Sequence, residues 1–196
     1  MKKISVLTVV LSLAAGILFF KGGVYADSLL ETEPLIKGAD DCTVIKSSDS
    51  AAFRYKDFDV QVSPHEESNG YRIKVYSRKT GKTLTYGKEY GGFFQGIFND
   101  CIIIDYGTGQ IREVRIFNLQ TGKQLFRHIY VGELKLSGKR LCFKDKVTIR
   151  EKNRRPSCPK ELEGLEYGIG YTEKMYFDMQ KKTLVRTGKY ECTYFE

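Results

Sequence analysis

The sequence predicts an all-β protein, a compact antiparallel domain built of successive hairpins. Three observations carry that expectation. Apolar and polar residues alternate with period two, a glycine-bearing turn string recurs, and no stretch beyond residue 26 holds a helical stripe through three turns. The alternation is plainest in Tyr71-Arg72-Ile73-Lys74-Val75-Tyr76. There Tyr71, Ile73 and Val75 share one face and Arg72 and Lys74 the other, the signature of a half-buried strand. Further strands are expected over residues 58–62, 82–86, 102–105, 112–118, 124–131, 134–136, 140–143 and 147–150. Asp105-Tyr106-Gly107-Thr108-Gly109 reads as the turn between two of them. With 13 Tyr, 12 Phe and no Trp, the chain has the large side chains that a β core of this size uses.

The recurring string is Val75-Tyr76-Ser77-Arg78-Lys79-Thr80-Gly81-Lys82, matched by Ile116-Phe117-Asn118-Leu119-Gln120-Thr121-Gly122-Lys123 at a spacing of 41 residues. A third, weaker copy is Tyr176-Phe177-Asp178-Met179-Gln180-Lys181-Lys182, read as one residue shorter and lacking the glycine. Each copy is strand, tight turn, strand. Gly81 and Gly122 fit the positive-φ residue of such a turn, and Asn118 and Asp178 suit its entry because their side chains bond the backbone ahead. The string apolar-aromatic-Asn/Asp-x-x-Thr-Gly-Lys resembles the outer hairpin of a β-propeller blade, as in quinoprotein-like and WD-type repeats, and identifies no specific family. That resemblance implies blades of ~40–45 residues, which the first interval fits. The next interval, 60 residues from Phe117 to Phe177, fits only if the region around 150–170 is an insertion. Barrel, sandwich and small propeller-like arrangements all remain open at this point.

Residues 1–26 read as a cleavable secretory signal. Met1-Lys2-Lys3 gives a positive start, Ile4 to Phe20 is uncharged, and Val24-Tyr25-Ala26 offers a cleavage site before Asp27. Lys21-Gly22-Gly23 breaks the apolar run, which argues for cleavage rather than a membrane anchor. The expected mature chain is therefore exported, periplasmic or secreted, and does not span a membrane. Losing Lys2, Lys3 and Lys21 lowers the net charge from +8 to +5. Residues 27–52 are polar and read as an irregular leader with Cys42 as its pin, residues 53–196 as a single all-β domain, and 151–170 as a long loop within it.

The five cysteines, Cys42, Cys101, Cys142, Cys158 and Cys192, all lie beyond residue 26. An oxidising compartment favours pairing, and an odd count leaves at least one free or pairing between chains. Cys158 and Cys192 are the preferred pair, since a bridge there would tie a long loop to the end of the chain. Cys101, inside an apolar run, suits a buried free thiol.

Candidate chemistry is sparse. His65 lies in a polar turn and His128 in a strand, neither within a nucleophile signature. Asp57 and Asp59 are read on one strand face, with Asp100, Asp105, Glu113 and Asp145 scattered at strand ends. They are the only basis for a hydrolase acting on envelope polymers. No spacing suggests a zinc or calcium site, Gly107-Thr108-Gly109 and Gly168-Ile169-Gly170 lack the rest of a phosphate loop, and no cofactor is expected. The most distinctive surface is the segment Arg150 to Lys160, whose Arg150, Lys152, Arg154, Arg155 and Lys160 face a single acid, Glu151. Tethered by Cys158, it would present cations to an anionic partner, a protein or an envelope component. It lacks the interleaved aromatics that stack bases, so nucleic acid is a poor fit. The expectation is a non-enzymatic, exported binding module, inhibitor-like or accessory to the envelope. An envelope hydrolase and a structural subunit of an envelope assembly are its rivals.

Overall fold

Alternation becomes architecture in the first sheet. Phe58, Val60 and Val62 of β3 (Phe58–Pro64) and Tyr71, Ile73 and Val75 of β4 (Tyr71–Ser77) are buried, while Gln61, Lys74 and Tyr76 between them face solvent. The computed structural model describes residues 36–151, 155–162 and 168–195. The signal at residues 1–26 lies outside them. Flanking the central pair are β1 (Thr43–Lys46), β2 (Ala51–Arg54) and β5 (Thr83–Tyr86), giving a five-stranded sheet in the order β1-β2-β3-β4-β5. A second, seven-stranded sheet follows from β6 (Phe93–Phe98), β7 (Cys101–Tyr106), β8 (Ile111–Asn118), β9 (Gln124–Ser137), β10 (Arg140–Val147), β11 (Ile169–Asp178) and β12 (Thr183–Tyr194). Every pairing within the sheets is antiparallel and joins strands adjacent in sequence, so each sheet is an open meander. Neither closes into a barrel.

Two cores lie on opposite faces of β7. Ile102 and Ile104 pack with the inner face of the first sheet, where Phe53 meets Phe94 with ring centroids 4.9 Å apart. Cys101 and Ile103 point the other way, into a core with Ile116, Tyr130, Leu141, Phe143, Met175 and Phe177. Covering both faces explains why Cys101-Ile102-Ile103-Ile104 is apolar throughout instead of alternating. Cys101 is a buried free thiol.

A repeating plan underlies the meander. Strands β2–β5 form one four-strand unit, and β6–β8 with the first part of β9 form a second. The rest of β9 with β10–β12 forms a third. Strand β9 serves both later units: Val131 pairs with Ile111 of β8 and also stands opposite Lys144 of β10, and Gly132 beside it takes φ +78° where the register shifts. In each unit the amide after the third strand donates to a carbonyl of the first turn: Arg78 to Asp57 (3.0 Å), Leu119 to Asp100 (2.8 Å) and Met179 to Lys139 (2.9 Å). The recurring string is this third-to-fourth-strand turn. Gly81 closes on Ser77 and Gly122 on Asn118, both at 2.8 Å.

Four expectations need correction. The third copy is not shorter: Lys182 donates to Asp178 at 2.7 Å, the same closure as in the other two, and adopts φ +56° in the glycine's place. Residues 43–46 of the supposed irregular leader form β1, because Val44 packs against the first core and the strand pairs fully with β2. The leader is pinned by Ile36, buried in the second core, and by Asp40, whose amide donates to the Ile97 carbonyl (2.8 Å). Cys42 is a free thiol. Finally, no strand covers 147–150, since β10 ends at Val147 and the chain leaves the sheet.

Candidate binding surface at the stapled insertion

The third unit departs from the plan between its second and third strands. The corresponding connections in the first two units are residues 65–70 and 107–110, whereas here the chain takes residues 148–168 to pass from β10 to β11. Its exit is fixed by Ile149, which is buried, and by Arg155, whose Nε donates to the Ile149 carbonyl at 3.0 Å while its guanidinium lies 5.8 Å from the Tyr171 ring centroid. Cys158 is joined to Cys192 of β12, with Cα atoms 5.0 Å apart. A single 3₁₀ turn, Lys160–Leu162, follows the staple, and the Gly168 carbonyl at the far end accepts the Phe195 amide at 2.6 Å. The Phe195 ring packs against Gly170, where an added Cβ would lie 2.5 Å from a ring carbon.

Of the five cations singled out from the sequence, Arg150, Arg155 and Lys160 are exposed, and Lys152 and Arg154 lie outside the described residues. Arg155 spends its Nε on the segment's own backbone and so shapes the loop. Arg150 instead lines a cleft of about 220 Å³ with Thr148, Glu151, Arg186 and Tyr190. Arg186 is aimed by Glu173, a carboxylate only 1% exposed, which takes bonds from Arg186 Nε (2.9 Å) and Nη2 (2.6 Å) and from the Gly188 amide (3.0 Å). Burial pushes the Glu173 carboxyl up, but Arg186 and the Gly188 amide outweigh it and hold the group below the usual carboxylate range. The Arg186 side chain itself remains mostly exposed.

Sequence reasoning missed Arg186, Glu173 and Tyr190. One signal was present: Thr187-Gly188-Lys189 repeats the tripeptide of the hairpin strings. In β12 it makes a bulge, with Gly188 at φ +68° and the register shifting opposite Glu173–Met175, and that bulge turns Arg186 onto Glu173.

The other candidates are occupied by structural work. His65 is buried, its Nε2 3.0 Å from the Lys88 carbonyl oxygen and its Nδ1 accepting from the Glu67 amide at 3.2 Å. His128 stacks on Phe126, meets Phe143 at a tilt and places Nε2 3.2 Å from Asp145 Oδ2. Asp57 sits in the β2–β3 turn, not on a strand face with Asp59, which pairs with Arg78 at 3.0 Å. Glu113 is held between Arg115 and Arg127; burial pushes its carboxyl up, but the two guanidinium groups outweigh it and hold it below the usual range. Asp105, 2% exposed, lies 2.9 Å from Arg112 Nη1, yet burial wins and raises its carboxyl. Gly107 and Gly168 take positive φ in connections. Among the described residues, no three His, Cys, Asp or Glu side chains are grouped to hold a metal ion, and no helix is long and apolar enough to cross a membrane.

Fold and site define an all-β meander with a disulfide-tied insertion. No family model matches the chain, and none of the curated proteins compared with it matches. Among solved structures, the chain is similar to the β-propeller domain of the trilobed protease from Pyrococcus furiosus, described as having an open velcro topology, with a TM-score of 0.33 and 10% identity. The match covers 80% of this chain and 44% of that one, so the chain spans less than half the length of that structure.

Proposed function

We propose that the chain is an exported, non-enzymatic binding module that recognises an anionic partner through the stapled insertion. The observation that carries this reading is the Cys158–Cys192 bridge, which ties a cation-bearing segment to β12 beside the cleft of Arg150 and Arg186. A tied loop loses less conformational freedom on binding than a free one, and each residue that need not be ordered saves ~1–2 kcal/mol. The bridge also suits an oxidising compartment, in keeping with the signal-like residues 1–26. The hydrolase reading is weaker, because Asp59, Asp105, Glu113, Asp145 and both histidines are bonded to cations, backbone or one another.

The test is retention of the mature protein on vesicles that carry an anionic phospholipid. Neutralising Arg150, Lys152, Arg154 and Lys160 together, with Arg155 kept for its bond to Ile149, should abolish retention and leave melting unchanged. Retention should fall steeply with salt, since ~0.15 M already screens charges beyond ~8 Å. A quadruple variant retained like the parent would overturn the proposal.

A further inference from the structure

A second hollow lies elsewhere, on the outward face of the first sheet. Register sets Ala52, Gln61 and Lys74 side by side across β2, β3 and β4, and Arg54, Asp59 and Tyr76 side by side in the next row. Small Ala52 leaves the floor low, and the β1–β2 turn forms one wall of an open trough of about 720 Å³. Lys46, Arg54, Lys74 and Arg78 line it against one carboxylate, Asp59, and that carboxylate is already paired with Arg78 at 3.0 Å. Among the described residues Lys46, Arg54 and Lys74 have no acidic partner within ion-pair distance. Tyr76 stands among them with 43% of its surface exposed.

We propose that this face binds a stretch of acidic polysaccharide, a site separate from the insertion and independent of its role. Arg54 and Lys74 lie on strands two apart, about 10 Å by strand spacing, and with Lys46 on the trough wall they spread unpaired cations along it, which suits a chain with repeated acids. The exposed Tyr76 ring offers an apolar platform for a sugar face, and the Gln61 amide both donates and accepts toward hydroxyls. A protein partner is disfavoured because the exposed apolar surface is confined to Ile45 and Tyr76. Single-stranded nucleic acid is disfavoured because successive bases need successive aromatic platforms, and there is one.

Calorimetric titration of the mature protein with a hexamer of galacturonate, a sulfated glycosaminoglycan hexamer, a neutral glucan hexamer and a hexadeoxynucleotide tests the site. Binding of at least one acidic hexamer is expected, with no heat from the glucan or the nucleotide. Arg54→Gln/Lys74→Gln should weaken that binding at least tenfold and Tyr76→Ala several-fold, each with unchanged melting. Neutralising Arg150, Lys152, Arg154 and Lys160 should leave it as it was. Three results would overturn the proposal: silence from both acidic hexamers, equal affinity in the double variant, or a nucleotide that binds as tightly as the glycans. Loss on neutralising the insertion instead would move the site there.

Discussion

The same position in the repeating plan, the passage from second to third strand, is solved in two ways. In the first unit residues 65–70 are held by their surroundings: the His65 amide and imidazole bond the Gly70 and Lys88 carbonyls at 3.0 Å, Ser68 Oγ takes the Gly91 amide at 2.7 Å, and Gly70 is pressed against Gly91. Residues 107–110 of the second unit are anchored likewise, with the Gln110 carbonyl accepting the Gly132 amide at 3.0 Å. The third unit's 148–168 has little apolar surface to bury among its described residues, Ile149 apart, and a disulfide takes the place of packing. A meander tolerates length at such a connection because only the two flanking strands must meet. What differs is also what is exposed: the packed connections carry few charges, the stapled one a run of cations.

That contrast breaks first at the staple. Cys158→Ser with Cys192→Ser closes no loop in the unfolded chain, and with a sequence separation of 34 residues the chain-entropy account gives a loss of about 3–4 kcal/mol by denaturant unfolding. A loss no larger than that of a surface substitution would mean the insertion is held by something other than the bridge.

Next come the turns that keep the three units alike. Gly122→Val should cost more than ~1 kcal/mol, because a β-branched residue resists φ +71° and its Cβ would crowd Leu84 Cδ2 at 3.3 Å. Gly81→Val meets no neighbour within 4 Å and should cost less, Lys123→Val less still. The third copy sharpens the point in reverse: Lys182→Gly should stabilise by up to ~1 kcal/mol, since lysine there holds φ +56°. Equal melting shifts for Gly122→Val and Lys123→Val would show that the turn is misassigned.

Two buried carboxylates, one in each later unit, give a subtler difference. Glu173, held low by Arg186, contributes stability that is complete above the ordinary carboxylate pKa and is lost as pH falls through its lowered folded value. Asp105, raised by burial, acts oppositely: its charged form costs stability near neutrality, and that cost is relieved as pH falls through the raised value. Urea unfolding across acid pH should therefore show a shallower acid loss for Glu173→Gln and a steeper one for Asp105→Asn. Parallel profiles for parent and both variants would contradict the assignment.

How much of this was legible follows from which faces are covered. Strands β3 and β4 alternate visibly because one side of their sheet meets water. Edge strand β12 is half-exposed on both sides along much of its length, so it carries no period, and β1 is too short to show one. The insertion announced itself through Pro156, Pro159 and its glycines. Turn chemistry revealed two hairpins and mis-sized the third, since Lys182 hides a glycine's conformation. The Glu173–Arg186 pair depends on a bulge, and the trough of Arg54 and Lys74 on a register across four strands. Neither is written in any local string.

The third connection is held covalently where the others are held by packing. Differential alkylation and peptide mapping of the exported protein test it most directly. The expected result is one disulfide-linked pair of peptides carrying Cys158 and Cys192, with Cys42, Cys101 and Cys142 alkylated once the chain is unfolded without reductant. Cys158 recovered as a free thiol, or linked to Cys42 or Cys142, would contradict it.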